Sequence, residues 1–325
     1  MGGSYNSLDD AMRAVLAALL KDQPQFQATR GKFSELFGCC LHLRNPRARL
    51  SRSEGRSKVF SAIGELMWYL SGETKLAFID YYLPNRYQQE SDDQINVRSG
   101  YGERLLSFNG INQLQNVIDL LNSKPSSRRA VIQLFDASDI AASYQSVPCT
   151  NTLQFIGREG QLHMLASMRS NDAFFGLPHD VFTFTMLQEL VARSVDMEVG
   201  EYKHCVGSLH LYEDQRAGAA QYLAEGFQSH SEMPPMPNGD PRAAIEELKA
   251  YEHRLRHGST DLPPPGWDPY WQSIGELLAA FRASKNKDLP ALQELMKRLR
   301  PTVFKMFVEA KVDSLEAEVS ALARS

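Results

Sequence analysis

Cys149 stands in SVPCTN, directly after a proline and ahead of a strand-forming run. Most cysteines are small buried hydrophobes, yet a thiolate is also the side chain best suited to adding covalently to an electrophilic carbon. Glu65 sits inside the apolar segment SKVFSAIGELMWYLSG, where a carboxylate has to be paired, protonated or functional. Arginines recur as Arg30, in Ser127-Arg128-Arg129 and in Arg169-Ser170. Singly each is ordinary surface chemistry; together their guanidinium forks match the oxygens of a phosphate dianion. The phrase RSNDAFFGLPHD adds Asp172, Gly176 and Asp180, with Gly176 and Pro178 marking a turn before a long apolar run. Asp180 is expected to be an N-cap or first-turn carboxylate of the helix that follows.

These residues need elements to hold them. Leu8, Met12, Val15, Leu16 and Leu19 fall on one stripe of a first helix that runs to about Lys21. The Arg-rich stretch from Arg30 to Arg56 reads as irregular. Ser57 to Gly72 reads as a buried helix with a Ser cap and a closing Gly, carrying Glu65 in its middle. After a polar loop around Gln88 to Gly102, GINQLQNVIDLLNSKP predicts a helix stopped by Pro125. AVIQLFD is rich in strand formers. Asn151 to Ser170 predicts a hairpin turning at Arg158-Glu159-Gly160. HDVFTFTMLQELVARSVDM is apolar on nearly every face and predicts a buried central helix; YKHCVGSLHLYED alternates as a strand. His204 and Cys205 on that strand read as core. Composition shifts near residue 229, and SHSEMPPMPNGDPR ends in Asp240-Pro241, a cap and first-turn pair. The expected division is a catalytic domain over 1–230 and a mostly helical extension over 231–325.

The chain has 325 residues, 43% of them hydrophobic, enough to bury a large core. A net charge of −4 gives no support to a nucleic-acid coat or a basic membrane-surface protein. No run spans a bilayer, and the N-terminus lacks a signal peptide. Four cysteines without a CxxC pair suggest neither a disulfide framework nor zinc. They are expected as free thiols, which implies a reducing compartment and the cytoplasm.

The order of these pieces carries a resemblance. PCTNTLQFIGREGQLHMLASMRSNDAFFGLPHDVFTFTMLQEL followed by KHCVGSLHLYED resembles the thymidylate synthase family, whose motifs are PCH…QF, RS-x-D-x-x-LG-x-P-F-N and H-x-x-GD-x-H-x-Y. GELMWYLSG, Gly100-Tyr101-Gly102 and Ser127-Arg128-Arg129 resemble its upstream segments, and Arg30 before FSELFG its phosphate loop more loosely. The likeness runs from about residue 28 to 215. It implies an α/β (α+β) fold with a mixed sheet and surrounding helices, a homodimer with shared active sites, and no metal. By the same resemblance, the Cys149 thiolate would add to C6 of a pyrimidine nucleoside monophosphate, Glu65 would handle protons, and 5,10-methylenetetrahydrofolate would be the co-substrate. Arg30, Arg169 and Ser170 would hold the phosphate, joined by Arg128 and Arg129 from the other subunit. His210 and Tyr212 would bind the sugar, and Tyr101, Asp172 and Gly176 would complete the substrate pocket. The arginines are expected to lower the Cys149 pKa.

The most informative departure is Asp180, where the family has the Asn that reads uracil. An ionised carboxylate only accepts hydrogen bonds, so Asp180 suits the N4 amino group of cytosine and repels O4 of uracil. The same exchange marks the family's cytidylate and deoxycytidylate hydroxymethylases, some of them in nucleoside-antibiotic pathways. The chain ends in SALARS with no match to the apolar tail by which the synthases exclude water, which favours hydration of the methylene intermediate. Thr150, Met168 and Ser208 also replace family residues. The resemblance therefore implies conversion of CMP or dCMP to its 5-hydroxymethyl form; the alternatives are a dUMP methylase or a silent nucleotide-binding homologue.

Overall fold

The computed structural model describes residues 2–28, 30–53, 56–227, 231–299 and 303–322. Among them the strands are β1 (Gly2–Tyr5), β2 (Phe26–Ala28), β3 (Gly31–Leu43), β4 (Arg52–Ser53), β5 (Arg56–Ser57), β6 (Val131–Gln133), β7 (Thr150–Arg158), β8 (Gln161–Asp172) and β9 (Glu198–Tyr212). The helices are α1 (Leu8–Leu19), α2 (Val59–Ser71), α3 (Leu76–Tyr82), α4 (Tyr101–Leu106), α5 (Gln113–Ser123), α6 (Gly176–Ser194), α7 (Arg216–Ala224), α8 (Arg242–Arg256), α9 (Pro269–Lys285), α10 (Leu289–Arg298) and α11 (Lys305–Leu322). No described helix is long and apolar enough to cross a membrane.

The chain forms two compact units, one built by residues up to Met233 with Asn238–Asp240, the other by Pro234–Pro237 and the chain from Pro241 onward. The first is α/β. Its main sheet runs β1-β3-β9-β8-β7-β6, with β2 beside β3. β1 and β3 are parallel, as are β8 and β9; every other neighbouring pair is antiparallel. Parallel neighbours cannot be joined by a tight turn. α6 makes the crossover from β8 to β9, and nearly all its residues are buried. The second unit is helical, with Tyr251, Trp271, Ile274, Leu277, Leu292 and Phe304 in its core.

Local chemistry explains most element ends. Ser7 caps α1 by accepting from the Asp10 amide at 3.1 Å, and all five stripe residues are buried. Gly72 closes α2 at φ 75°, a left-handed cap that glycine adopts without Cβ strain. Glu159 and Gly160, at φ 51° and 76°, form the two-residue loop between β7 and β8, and paired positive φ values match the strand twist.

Four expectations need correction. The stretch after Arg30 is not irregular: Gly31–Leu43 is the long strand β3, paired with β9. Its periodicity is broken by Gly38, at φ 66°, and burial alternates only over Cys39, Leu41 and Leu43. The cap position of α2 is Lys58 rather than Ser57: the helix starts at Val59, and Lys58 makes no side-chain cap bond. α8 starts behind Pro241 rather than Asp240. Lastly, the cysteines are not all free: Cys40 and Cys205 face each other across β3 and β9 with Cα atoms 4.1 Å apart and form a disulfide. Cys39 and Cys149 are free thiols. A separation of 165 residues hid the bridge from spacing arguments, and the inference from four free thiols to a reducing compartment does not stand.

His204 on β9 is 1% exposed. Its Nδ1 lies 2.7 Å from the Tyr202 hydroxyl, while Nε2 has no hydrogen-bond partner among the described residues. Burial pushes its pKa down to about 3. The unfolded chain, titrating near the ordinary 6.5, binds this proton first, so stability is complete above that value and falls as pH drops toward 3. Between pH 7 and 5.5 this residue alone is expected to remove about 1 kcal/mol. Urea titrations at both values, with His204→Leu losing this pH-dependent contribution, check the assignment.

Candidate active site

A cavity of about 650 Å³ opens where β8 and β9 end, within the range that holds small ligands. α2 supplies Glu65, Trp68 and Tyr69; the segment after α3 supplies Arg86, Tyr87 and Glu90. Tyr101 comes from α4, Cys149 from the loop ahead of β7, Arg169 to Asp172 from the end of β8, and Gly176, His179 and Asp180 from α6. His210 and Tyr212 close it from β9, and Arg30 from the turn before β3.

Cys149 is held by its flanks. The Thr150 amide and hydroxyl donate to the Tyr101 oxygen at 3.1 and 2.9 Å. Arg169 donates through Nε to the Pro148 carbonyl at 2.9 Å and through Nη2 to the Val147 carbonyl at 3.0 Å, and Nη2 stands 3.7 Å from Cys149 Sγ. Arg169 thus shapes the loop that carries Cys149 as well as charging it. Burial pushes the thiol up, and Arg169 pulls against it without reversing the direction. Arg169 and Arg30 lower the thiol pKa, as expected of the arginines, but burial outweighs them and the net shift is upward.

Glu65 is buried and accepts hydrogen bonds on Oε1 from Tyr69 and Tyr87 hydroxyls, both at 2.9 Å. Burial pushes its carboxyl up, opposed by those two bonds and by Arg86. A carboxyl shifted in this direction is better suited to general acid–base chemistry than an ordinary one. Glu65→Gln keeps the shape and removes the titrating group; turnover in this cavity is expected to fall about 10²–10⁴-fold with ligand affinity retained, as kinetics and calorimetry would report.

Asp180 lies further along α6 than expected. The helix begins at Gly176, so Asp180 is past the first turn and caps nothing. Its Oδ2 accepts a hydrogen bond from Asn171 Nδ2. Burial first, then Glu65, pushes the carboxyl well above the usual range, and Asn171 and Arg86 oppose them. The turn between β8 and α6 is shaped by Asp172 instead. Its Oδ1 accepts from the Phe174 and Phe175 amides at 2.9 and 2.8 Å, and its Oδ2 from Gln215 at 2.8 Å. Asp172 lines the cavity with both oxygens engaged by the protein.

At the cation side, Arg30 pairs with Glu90, and Arg86 Nη1 lies 3.9 Å from the same carboxylate. Ser146 donates to Glu90 at 3.1 Å. Ser170 lines the cavity beside Arg169. His210 stacks edge-on to Tyr212 at 4.9 Å, and burial lowers its pKa, so it is neutral near pH 7. Arg128 and Arg129 are exposed and lie outside the cavity. Sequence reasoning missed Arg86, Tyr87, Glu90 and Asn171. NRYQQE shows no periodicity, and Asn171 falls between Ser170 and Asp172, whose types carry the stronger signals.

The sequence model of the thymidylate synthase family matches residues 53–254, and the chain belongs to that family. Deoxyuridylate hydroxymethyltransferase of Delftia phage PhiW-14 is 35% identical over 192 residues, 54% of this chain and 53% of the relative. The chain thus spans about half the length of the curated relative that it matches.

Proposed function

We propose that the protein is a folate-dependent hydroxymethyltransferase that converts CMP or dCMP to the 5-hydroxymethyl nucleotide. The observation that carries this reading is the meeting of Cys149, Glu65 and Asp180 in one cavity, with an acid at the position where the family's uracil-reading Asn is expected. Cys149 Sγ bonds to C6 of the ring, and the displaced electron pair makes C5 nucleophilic. C5 attacks the methylene carbon of 5,10-methylenetetrahydrofolate, the second substrate; the C5 proton is then lost and tetrahydrofolate is expelled, which leaves an exocyclic methylene on C5. Glu65 takes and returns protons between its tyrosine partners and the cavity. Water adds to the exocyclic methylene, and the thiolate departs from C6.

Arg30, Arg169 and Ser170 bind the phosphate, and His210 and Tyr212 the sugar. In a homodimer, Arg128 and Arg129 of one protomer complete the phosphate site of the other, which accounts for their place outside the cavity. Asp180 reads cytosine through its N4 amino group and N3. Neutral Asp180 serves this edge too: its O–H donates to N3 and its other oxygen accepts from N4–H. The first compact unit carries this catalysis.

A second reading, hydroxymethylation of a uridylate, is favoured by the name of the phage relative. Neutral Asp180 also fits it, its O–H donating to O4 and its other oxygen accepting from N3–H. Incubation with CMP, dCMP, UMP or dUMP and methylenetetrahydrofolate separates the readings. A hydroxymethyl gain on cytidylates with tetrahydrofolate released supports the proposal. A gain on uridylates alone replaces it with the second reading, and dihydrofolate as product identifies a methylase.

A further inference from the structure

A carboxyl group that reads a base edge is nearly symmetric. Protonated on one oxygen, it offers donor and acceptor in the order cytosine needs; protonated on the other, in the order uracil needs. Asp180 alone therefore does not select a base. Something must decide which of its oxygens accepts.

Asn171 is placed to do so. It is 3% exposed, near the end of β8, one position before Asp172, whose engaged oxygens fix the following turn. Its Nδ2 donates to Asp180 Oδ2 and sits 3.1 Å from Met168 Sδ. Its Oδ1 has no partner among the described residues, so the side chain is oriented through the amide group alone. The same two oxygens, Asn171 Oδ1 and Asp180 Oδ2, flank Gly176: a Cβ there would lie 3.6 Å from each. An N–H aimed at Oδ2 makes that atom the acceptor and leaves Oδ1 as the oxygen able to carry a proton.

We propose that Asn171 is the specificity-positioning residue of this site, acting through Asp180 by fixing which carboxyl oxygen accepts from the base. The inference rests on the proposed role of Asp180 in reading the pyrimidine edge. It adds that discrimination belongs to the pair. Without the amide, the proton settles on either oxygen and the carboxyl pairs with both bases.

The test is calorimetric binding of CMP, dCMP, UMP and dUMP to the full chain, as wild type, Asn171→Leu and Asn171→Ala. Leu preserves volume without the donor; Ala is the second choice should Leu disturb folding, which thermal melts report. The expected result is a wild-type cytidylate-to-uridylate affinity ratio that moves toward unity by about tenfold or more in the variants, chiefly by tighter uridylate binding. A general structural role would weaken both ligands alike and leave the ratio unmoved, which overturns the inference. So does a wild type with no base preference. A wild type that prefers uridylates overturns the cytosine reading itself, and the inference is then judged by the same collapse of the ratio.

Discussion

Cys149→Ala is expected to lose at least ~10⁴-fold in kcat, because Cys149 is the one thiol among the described residues that line the cavity and the proposed bond to C6 is made by its sulfur. Exchange of the C5 proton of the nucleotide with solvent, which needs the same adduct, should vanish with it. Nucleotide binding should survive. The anchors that Arg169 uses in this loop are the carbonyls of Val147 and Pro148, and these do not depend on the side chain at 149. A variant that keeps exchange would show that the adduct is formed elsewhere, whereas one that loses binding would make Cys149 part of the recognition surface. Stopped exchange with retained affinity is the signature to look for, measured with tritiated nucleotide and calorimetry.

Asp180→Asn is expected to invert base preference. The amide carries a fixed donor and a fixed acceptor, so the edge complementary to cytosine becomes one complementary to uracil. A buried mismatch leaves groups unpaired at about 1–3 kcal/mol each, so relative kcat/KM for cytidylate over uridylate should drop by about 10²-fold or more. The new side chain also meets Asn171, whose amide donates to position 180 in the parent. Inversion places the introduced NH₂ where Oδ2 accepts in the parent, and Asn171 meets it by turning its amide so that Oδ1, which has no partner among the described residues, accepts. Competition assays with paired substrates give the ratio directly. An unchanged ratio would remove Asp180 from base recognition.

Much of this site could be read from the chain because its chemistry is punctuated by local signals. Proline before Cys149, an acid within the apolar run around Glu65, and Gly176 at the start of the buried α6 each stand out against a neighbourhood that predicts something else. The β7–β8 hairpin was legible for a similar reason: Glu159-Gly160 is a turn in two residues. The parts that escaped notice depend on distant pairing. Arg86, Tyr87 and Glu90 sit in a polar loop and acquire meaning only through Glu65 and Arg30. β3 lacks a steady alternation because it bends at Gly38 and carries polar residues toward the cavity end. The position of Asp180 was legible in type but not in place, since α6 starts at Gly176 with Phe175, not Asp180, at its N-cap.

The bond between Cys40 and Cys205 has a topological result. Glu65, Cys149, Asn171 and Asp180 all lie on the stretch of chain between those two sulfurs, so the reactive groups are strung on one closed covalent ring. A single protease nick anywhere along it would open the ring yet release no fragment, because both ends of the cut would still be tethered through the sulfurs. By the chain-entropy account, a ring this long also withdraws ~5 kcal/mol of freedom from the denatured ensemble.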